Sequence, residues 1–482
     1  MSITNSLLDS HIFLSFLRLK FGHNELPEGA AEKWALSERL AKWLDYKDNL
    51  KDFKEEFYIP KLDKLPNVNP SFIEINGKES NCIYLCSNSV GLQPKCTKKY
   101  INKELKQWEE MGVNGHFYGE EPWIYCDERL LKGIANLVGA KLIEEVGLMN
   151  STTINIHLLF SAFYCPSSIK YKILLESPVF PSDYYAIESQ LKLKGINPLE
   201  AIICLKPRKG KEYILIEDII KIIEEEGNSI ALIFFNGINY YTGQLFNIQL
   251  ITEKAQQKKC LVGWDLSHAV ANVPLYLNKW NVDFACWCNY KYACSGPGGV
   301  AGMFIHERYK NEGISRQRLS GWWGHKLTSR FNMDNKMEPE EGVSGYRLST
   351  PSAILMAGVR GFLDIFSKTS MTELRQKSLL LTSYLEFLLE NNQLFKQNNY
   401  FTQITPTDQN QRGCQLSLKF NCQIDKIYKM LSERGIVVDK RNPNVIRISP
   451  VPLYNTFMDI WLFVQIFEEI INLIKNELIL DK

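Results

Sequence analysis

The sequence predicts an α/β protein with a large domain built on a mainly parallel sheet and a smaller C-terminal α+β domain. Between about residues 81 and 305, short apolar runs of strand length alternate with helical patterns, which is typical of βαβ units. After about residue 351 the pattern changes to long helices and shorter strands. The 482 residues are enough for roughly two to three domains and a large core.

Composition narrows the class of partner. Hydrophobic residues make up 45%, charged residues 23%, and the formal net charge is +2. Small basic clusters such as KPRKG (206–210) are expected to be solvated surface, so nucleic acid is disfavoured as a partner and a small-molecule substrate is favoured. No apolar run reaches the roughly 20 residues of a membrane helix, and the N-terminal residues do not have the pattern of a signal peptide.

The cysteines predict a reducing compartment. Twelve are scattered along the chain, several inside apolar runs. No CxxC pair and no cysteine–histidine set at zinc spacing occurs in the sequence, so neither a metal site nor a disulfide framework is expected. We therefore expect free thiols and a cytoplasmic protein.

The elements follow in chain order. Residues 1–80 are predicted to be a helical segment packing on the smaller domain, with DYKDNLKDFKEEFYIPK (45–61) a helix ended before Pro60. Residues 81–350 form the large domain, with strands expected in EEVGLMNST (144–152), YKILLES (171–177), EAIICLK (200–206), SIALIFF (229–235), CLVGWD (260–265), VDFACWC (282–288) and GGVAGMFIH (298–306). Residues 351–482 form the small domain, with helices in 354–366, 372–390 and 457–478 and strands in 413–420 and 445–450.

Polar groups follow several of the predicted strands. In an open α/β sheet, ligands bind at the carboxyl ends of the strands. The segments that follow strand candidates there are PVFPSDYYA (178–186), NGINYYTGQ (236–244), DLSHAVAN (265–272) and NYK (289–291). Lys291 stands between an apolar strand and a glycine-rich turn, where a partly desolvated amine can act as nucleophile and base. A lysine at a strand end is otherwise ordinary surface, so its neighbours decide between the two interpretations.

Those neighbours match the needs of pyridoxal phosphate. The protein must hold its aldehyde on a lysine and keep its ring nitrogen protonated with a carboxylate, which Lys291 and Asp265 could do. The phosphate needs hydroxyl and backbone donors, and STTINIHLL (151–159) opens a helical pattern with three hydroxyl residues. Such a start is by itself only a helix cap.

Eight segments together resemble the kynureninase family, which belongs to the fold-type I pyridoxal phosphate enzymes of the class V aminotransferase group. The similarity extends from about residue 40 to about residue 470, and the set is far more specific than any one member. The segments are SNSVGLQPK, LMNSTTINIHLL, ILLESPVFPSDYYAIESQL, YYTGQLFNI, GWDLSHAVANV, VDFACWCNYKY, GWWGH and RNPNVIRISPVPLYN.

The resemblance implies a cofactor site completed by a second subunit of a homodimer. Asp265 would pair with the ring nitrogen, with His268 beside it, and Phe180 would stack on the ring. Trp322 and Thr350 would come from the partner subunit. The other cofactor-binding residues implied are Thr152, Thr153, Pro181, Ser182, Asp183, Asn236, Tyr241, Tyr290 and Lys291, with Asn236 standing where a serine is usual.

The resemblance also implies a reaction: hydrolytic Cβ–Cγ cleavage of kynurenine or 3-hydroxykynurenine to an anthranilate and alanine. Lys291 would be the catalytic base, and Tyr241 the candidate acid. Arg447 would bind the substrate carboxylate, while Ser89 and His116 would line the aryl end. Thr350 stands where relatives that prefer the 3-hydroxy substrate carry asparagine.

Two alternatives remain at this stage. A cysteine desulfurase or aminotransferase of the same fold would keep the lysine and the carboxylate, but a desulfurase needs a thiolate on a mobile loop, for which Cys294 is the nearby candidate. A noncatalytic nucleotide-binding module could use GPGGVAG (296–302) as a glycine-rich loop, although the strand–loop–helix context is not predicted there.

Overall fold

A computed structural model describes residues 13, 17, 20, 21, 32–312, 315–398, 400–421 and 424–480. The chain divides into two compact units: residues 1–92 with 372–482, and residues 93–371. The sequence pattern predicted domain boundaries at 80/81 and 350/351, whereas the contacts place the boundaries of the units at 92/93 and 371/372. Much of the predicted N-terminal segment, including residues 1–12 and 22–31, lies outside the described residues. Among the described residues, no helix combines the length and apolar composition that a membrane crossing requires.

The strands in chain order are β1 (Phe57–Tyr58), β2 (Ile83–Tyr84), β3 (Gln93–Pro94), β4 (Val146–Leu148), β5 (Lys172–Glu176), β6 (Ile202–Leu205), β7 (Ile230–Asn236), β8 (Leu261–Asp265), β9 (Phe284–Cys288), β10 (Ala301–Ile305), β11 (Phe401–Gln403), β12 (Leu416–Phe420), β13 (Ile436–Val437), β14 (Asp439–Arg441) and β15 (Val445–Ile448).

The helices are α1 (Glu32–Ala35), α2 (Glu38–Lys47), α3 (Pro70–Asn76), α4 (Thr97–Met111), α5 (Glu128–Val138), α6 (Thr152–Phe163), α7 (Pro181–Leu193), α8 (Pro198–Ala201), α9 (Ile216–Glu226), α10 (Ile248–Gln257), α11 (Ala353–Phe366), α12 (Met371–Asn391), α13 (Gln393–Asn398), α14 (Ile424–Glu433) and α15 (Phe457–Leu480).

The unit of residues 93–371 contains a seven-stranded sheet in the order β4-β10-β9-β8-β7-β5-β6. The neighbours from β6 to β9 pair in parallel, whereas β10 is antiparallel to both β9 and β4. All seven predicted strands are present, and the α/β fold class is confirmed. The sheet is mixed rather than purely parallel because β9 reaches β10 through a turn, without the crossover helix that a parallel connection needs.

Two glycines make room for the aromatic rings of β9. Gly263 of β8 lies opposite Phe284, and Gly302 of β10 lies opposite Trp287. A Cβ added at either glycine would overlap the facing ring. Both rings are fully buried. The aromatic rings of β9 therefore occupy the space that the glycines of the neighbouring strands leave free. This packing fixes β9, the strand that leads to Lys291.

The other unit is an α+β arrangement. Its four-stranded sheet has the order β11-β12-β15-β14 and is antiparallel throughout. Apolar side chains of this sheet and of helices α2, α12, α14 and α15 form one continuous core, which includes Leu44, Leu385, Leu416, Ile446 and Phe463. The predicted long helices and strands of this region therefore pack as a domain core.

The predicted helix over residues 45–61 is wrong. Helix α2 ends at Lys47, and a 3₁₀ helix over Lys51–Glu56 and strand β1 follow. The break lies at Asp48, whose Oδ1 accepts the backbone N–H of Leu50 at 2.9 Å. Its other oxygen lies 2.6 Å from Lys377 Nζ, and both side chains are buried. An aspartate that bonds its own backbone competes with the helix, and here a buried ion pair holds it in place.

The cysteines of the described part are mostly buried. Burial raises the pKa of Cys82, Cys86 and Cys126 to about 12, so these thiols stay protonated. Of the cysteines that the structure describes, Cys165 alone is exposed, just beyond the end of α6.

The glycine packing gives the first prediction. Gly263→Ala should lower the free energy of unfolding by about 1–3 kcal/mol, because its Cβ overlaps the Phe284 ring. Urea denaturation measures this. In a Phe284→Leu background the same change should cost at least ~0.5 kcal/mol less, since the two positions are in contact. An equal cost in both backgrounds would show that the ring does not set the requirement for glycine.

Candidate active site

Three neighbouring parallel strands end in polar residues at the same level. Strands β5, β7 and β8 close with Glu176, Asn236 and Asp265, and Asn236 is paired in register with Asp265. The backbone N–H of Asn236 donates to Glu176 Oε1 at 3.1 Å. These residues are at most 5% exposed. The strand ends therefore place two carboxyl groups and one amide side by side in the interior.

A third carboxyl comes from the first turn of α7. Asp183 is 2% exposed, and its Oδ2 accepts a hydrogen bond from Asn236 Nδ2 at 2.9 Å. Asp183 and Asp265 also share a hydrogen bond. We call Glu176, Asp183 and Asp265 the carboxyl row. Helix α7 begins with Pro181, a residue that suits the first helical position. This start of the helix sets the position of Asp183 in the row.

The carboxyl row does not carry three charges at neutral pH. Burial, followed by the charge of Asp265, raises the pKa of Asp183 well above its usual range. Burial is also the largest cause that raises the pKa of Glu176 to about 8, and the charge of Asp265 adds to it. Because like charges in a buried cluster disfavour each other's ionisation, the row holds protons as well as negative charge.

Lys291 lines the same cavity as Asp183 and Asp265. It follows β9, and its Nζ lies 2.9 Å from His268 Nε2, on the turn after β8. The same Nζ lies 5.9 Å from the centre of the Phe180 ring. An amine beside an imidazole can exchange a proton with it, so Lys291 and His268 could act together in proton transfer.

Helix α6 points its N-terminus at the cavity. Thr152 is its first residue, and the Thr152 Oγ1 atom is buried without a hydrogen-bond partner among the described residues. The Thr153 hydroxyl lies 2.8 Å from Ser182 Oγ. A helix N-terminus offers unpaired N–H groups and a partial positive charge to an anion. An unsatisfied hydroxyl at that place is a donor for a bound ligand.

These groups enclose one cavity of about 120 Å³. Most predicted cofactor residues line it. The lining consists of Ser151, Thr152, Thr153, Phe180, Asp183, Asn236, Tyr240, Asp265, Ser267, His268, Tyr290 and Lys291. Tyr290 is a hydrogen-bond donor there, because burial, with Cys288 second, raises the pKa of its hydroxyl. A lysine, a carboxylate, an aromatic ring and an anion-binding helix end thus meet in one small space.

Other predicted residues of the same unit lie outside this lining. Tyr241 is half-buried beside Tyr240, with ring centres 6.1 Å apart. Trp322 and Thr350 are exposed. Trp322 packs its ring against Phe331 at 5.8 Å, and His116 packs edge-on against a tryptophan at 5.4 Å.

Two predicted substrate residues belong to the other unit. The Arg447 guanidinium is buried and paired with Asp439, with Nη2 2.8 Å from Oδ2. Strands β14 and β15 set this pair directly in register. Ser89 is half-buried, and its N–H donates to the Cys86 carbonyl at 2.9 Å.

Sequence reasoning missed several residues of the site. Tyr240 lines the cavity and packs edge-on against Phe180 at 5.3 Å, yet nothing distinguishes it in the sequence from Tyr241. Ser267 also lines the cavity. Glu176 was not identified because, in the sequence pattern, it is only the last residue of an apolar strand. An acidic residue at the carboxyl end of an interior strand was the signal that could have revealed it.

Neither a cysteine desulfurase nor a nucleotide-binding module fits the geometry. Cys294 is 1% exposed and donates to the Tyr292 carbonyl at 3.4 Å within a short turn, which does not provide a mobile thiolate. The glycines of GPGGVAG lead from β9 into β10. A dinucleotide loop instead connects a strand to a helix whose N-terminus binds the phosphates, so this loop lacks the required context.

Two solved structures share the fold of this chain. The chain superposes on the cysteine desulfurase CsdA from Escherichia coli with a TM-score of 0.67 at 14% identity, covering 88% of this chain and 99% of the other. It superposes on the cystine C-S lyase C-DES with a TM-score of 0.66 at 16% identity, covering 80% and 98%. The chain therefore has the fold-type I fold of the class V pyridoxal phosphate-dependent proteins.

Sequence comparison gives the family within that class. The chain is 47% identical to the kynureninase of Homo sapiens over 441 residues, which is 90% of this chain and 93% of the relative. It is 45% identical to the kynureninase of Rattus norvegicus over 459 residues, 93% and 98% of the two chains. The family described as the kynureninase C-terminal domain matches residues 374–467. The chain belongs to the kynureninase family.

The carboxyl row gives the second prediction. Asn236→Asp should lower the free energy of unfolding by about 1–3 kcal/mol at pH 8, because it removes the donor to Asp183 and adds another buried carboxyl. The folded-state pKa of the new carboxyl should be raised, so the loss should shrink as pH falls to about 5, where it is protonated. Urea denaturation at both pH values measures the difference.

Asn236→Ser is the matched control, since a hydroxyl still donates and does not titrate. Its effect should be the same at both pH values. If Asn236→Asp also costs the same at pH 8 and pH 5, the row does not resist added negative charge, and its description is wrong.

Proposed function

We propose that this chain is a pyridoxal phosphate enzyme that cleaves kynurenine, 3-hydroxykynurenine or both between Cβ and Cγ. One water is consumed: its oxygen joins the carbonyl carbon that leaves as the carboxyl group of an anthranilate, and hydrogen joins Cβ of the alanine. The observation that supports this most strongly is the meeting of Lys291, Asp265 and the unsatisfied Thr152 hydroxyl in one cavity. The kynureninase relatives at 45–47% identity supply the substrate class.

The residues of the cavity fit the cofactor. The N-terminus of α6, with the buried Thr152 hydroxyl, suits a phosphate dianion, and Asp265 suits a protonated ring nitrogen. Phe180 stands at the cavity wall where it could cover one face of the ring. When bound, pyridoxal phosphate supplies an electron-accepting ring that stabilises negative charge on the carbon next to the substrate nitrogen.

Lys291 would hold the cofactor covalently and then act as the base. As a free amine, its Nζ would remove the proton from the α-carbon of the substrate. His268 lies 2.9 Å from Nζ and would hold the free amine in place. Since the pair shares hydrogen-bonding contact, His268 can also accept a proton from the lysine.

Tyr241 would return a proton to Cβ after the anthranilate leaves. Burial, with Tyr240 second, raises the pKa of its hydroxyl, so the group keeps its proton until a strong base takes it. The resemblance further assigns the substrate carboxylate to Arg447 and the aryl end to Ser89 and His116. Asp439 holds the Arg447 guanidinium in a fixed plane, which suits bidentate binding of a carboxylate.

We also propose a homodimer in the cytoplasm. Exposed aromatic side chains on one unit pack against one another: Phe117 contacts Phe331 at 5.2 Å, and Phe331 contacts Trp322. All three are more than 40% exposed, which is typical of a surface that a partner covers. Trp322 and Thr350 would complete the neighbouring subunit's site. The protonated, buried thiols suit a reducing compartment.

The cofactor assignment gives the third prediction. Lys291→Ala should remove the near-visible absorbance band of the loaded protein and lower turnover of kynurenine by at least about 10²-fold, because the base and the covalent anchor are lost together. Absorbance spectra and a kynurenine assay measure the two effects. Lys279→Ala, at an exposed lysine, should change neither. A Lys291→Ala protein with a normal band and normal turnover would disprove the assignment.

Thr350 gives the fourth prediction, on substrate preference. Thr350→Asn should raise the ratio of kcat/KM for 3-hydroxykynurenine over kynurenine roughly twofold to tenfold, the effect of one neutral hydrogen bond. His116→Phe in the same background should remove most of that gain, because both side chains would share one hydroxyl. Thr328→Asn, at another exposed threonine, is the control. A ratio that neither change moves would place Thr350 and His116 away from the aryl pocket.

A further inference from the structure

Glu176 is a buried carboxyl to which the proposed reaction gives no part. It ends β5, is 1% exposed, and accepts the Asn236 N–H through Oε1 at 3.1 Å. It also hydrogen-bonds the side chain of Asn239. The titratable groups that face it are Asp183 from α7, Asp265 from β8 and Cys204 from β6. None of these three groups is a cation.

Asn239 organises the turn that follows β7. Its Nδ2 donates to the Pro178 carbonyl at 3.0 Å. Its Oδ1 accepts the backbone N–H groups of Tyr241 and Thr242, each at 3.1 Å. The same turn carries Tyr240, whose ring packs against Phe180 in the cavity wall. A residue that hydrogen-bonds Asn239 is therefore connected, through the turn that Asn239 organises, to Tyr240 in the aromatic wall of the cavity.

Burial and the neighbouring carboxyl groups favour the uncharged form of Glu176, and the hydrogen bonds from Asn236 and Asn239 only partly offset them. A buried carboxylate without a cation is strongly disfavoured, and a nearby negative charge adds to the penalty. Asp265 also accepts a backbone N–H, from Ser267 at 2.7 Å, but unlike Glu176 it lines the cavity, where a protonated ring nitrogen would pair with it. Glu176 thus belongs with the members of the row that retain a proton, and it lies outside the cavity lining.

We propose that Glu176 is a positioning residue that works as an uncharged carboxylic acid: it holds the Asn239 turn against Phe180 and leaves Asp265 as the charged carboxylate that faces the cofactor. The role toward the cofactor rests on the function proposed above. A charged Glu176 would add a second buried negative charge beside Asp265, which disfavours a carboxylate at Asp265.

The charge state is tested on cofactor-free protein by thermal unfolding between pH 5 and pH 9. A carboxyl whose folded-state pKa is raised stabilises the fold below its unfolded pKa and loses that stabilisation as pH rises through the folded value of about 8. Glu176→Gln keeps the shape and does not titrate. Its Tm relative to the native chain should therefore rise by about 5 °C between pH 5 and pH 8 and then level off.

Glu145→Gln is the matched control in the same unit. Glu145 is also 1% exposed, but its two oxygens accept four donors, from Lys141, Leu142, Glu307 and Asn278. The glutamine side chain would place its own N–H groups opposite some of those donors, where no hydrogen bond can form. The Glu145 variant should therefore be destabilised at every pH. If Glu176→Gln behaves like Glu145→Gln, Glu176 is a charged structural group and the proposal fails.

The positioning role is tested by cofactor titration. Glu176→Ala removes the bond to Asn239 and should bind pyridoxal phosphate at least about tenfold more weakly than Glu176→Gln, which retains it. Equal affinities of the two variants would overturn the positioning role. Neither readout involves kynurenine, so a native chain that fails to cleave kynurenine would disprove the proposed substrate and leave the result on Glu176 intact.

Discussion

The site depends on one constraint, the register of three parallel strands. Because Asn236 lies directly opposite Asp265 and its N–H reaches Glu176, the ends of β5, β7 and β8 are at one level. Two carboxyls placed so close in the interior need donors and a shared proton. Asn236 supplies two of these donors, its backbone N–H to Glu176 and its side-chain Nδ2 to Asp183. A shift of one residue in any of these strands would turn those side chains to the other face of the sheet.

Much of the site could be predicted from the sequence, because ligands bind at the carboxyl ends of strands in an open α/β sheet. That rule, with the family resemblance, led to Lys291 and Asp265, which line the cavity. It did not distinguish Tyr240 from Tyr241, since both stand in one turn whose conformation involves a bond from the Tyr241 N–H to Asn239. Arg447 belongs to the other compact unit, so only the resemblance led to its proposal as a substrate-binding residue.

The fold was predictable where a pattern was local and strong. Apolar runs of four to seven residues identified all seven strands of the large sheet. The direction of β10 was not predicted, because pairing depends on the connection and not on the strand's own residues. The break after α2 depends on Lys377, more than 300 positions away in the chain. No window of sequence contains that partner, so helix propensity alone extended the helix too far.

The single exposed thiol of the described residues offers a way to observe the site. Cys165 lies two residues beyond the last residue of α6, the helix whose opposite end faces the cavity. At 1.5 Å per residue, a fluorophore attached to that thiol would sit about 20 Å from the phosphate-binding end. The buried cysteines react slowly because their thiols stay protonated. Labelling at this position would report loading of the protein by energy transfer to the bound chromophore, without any engineered cysteine.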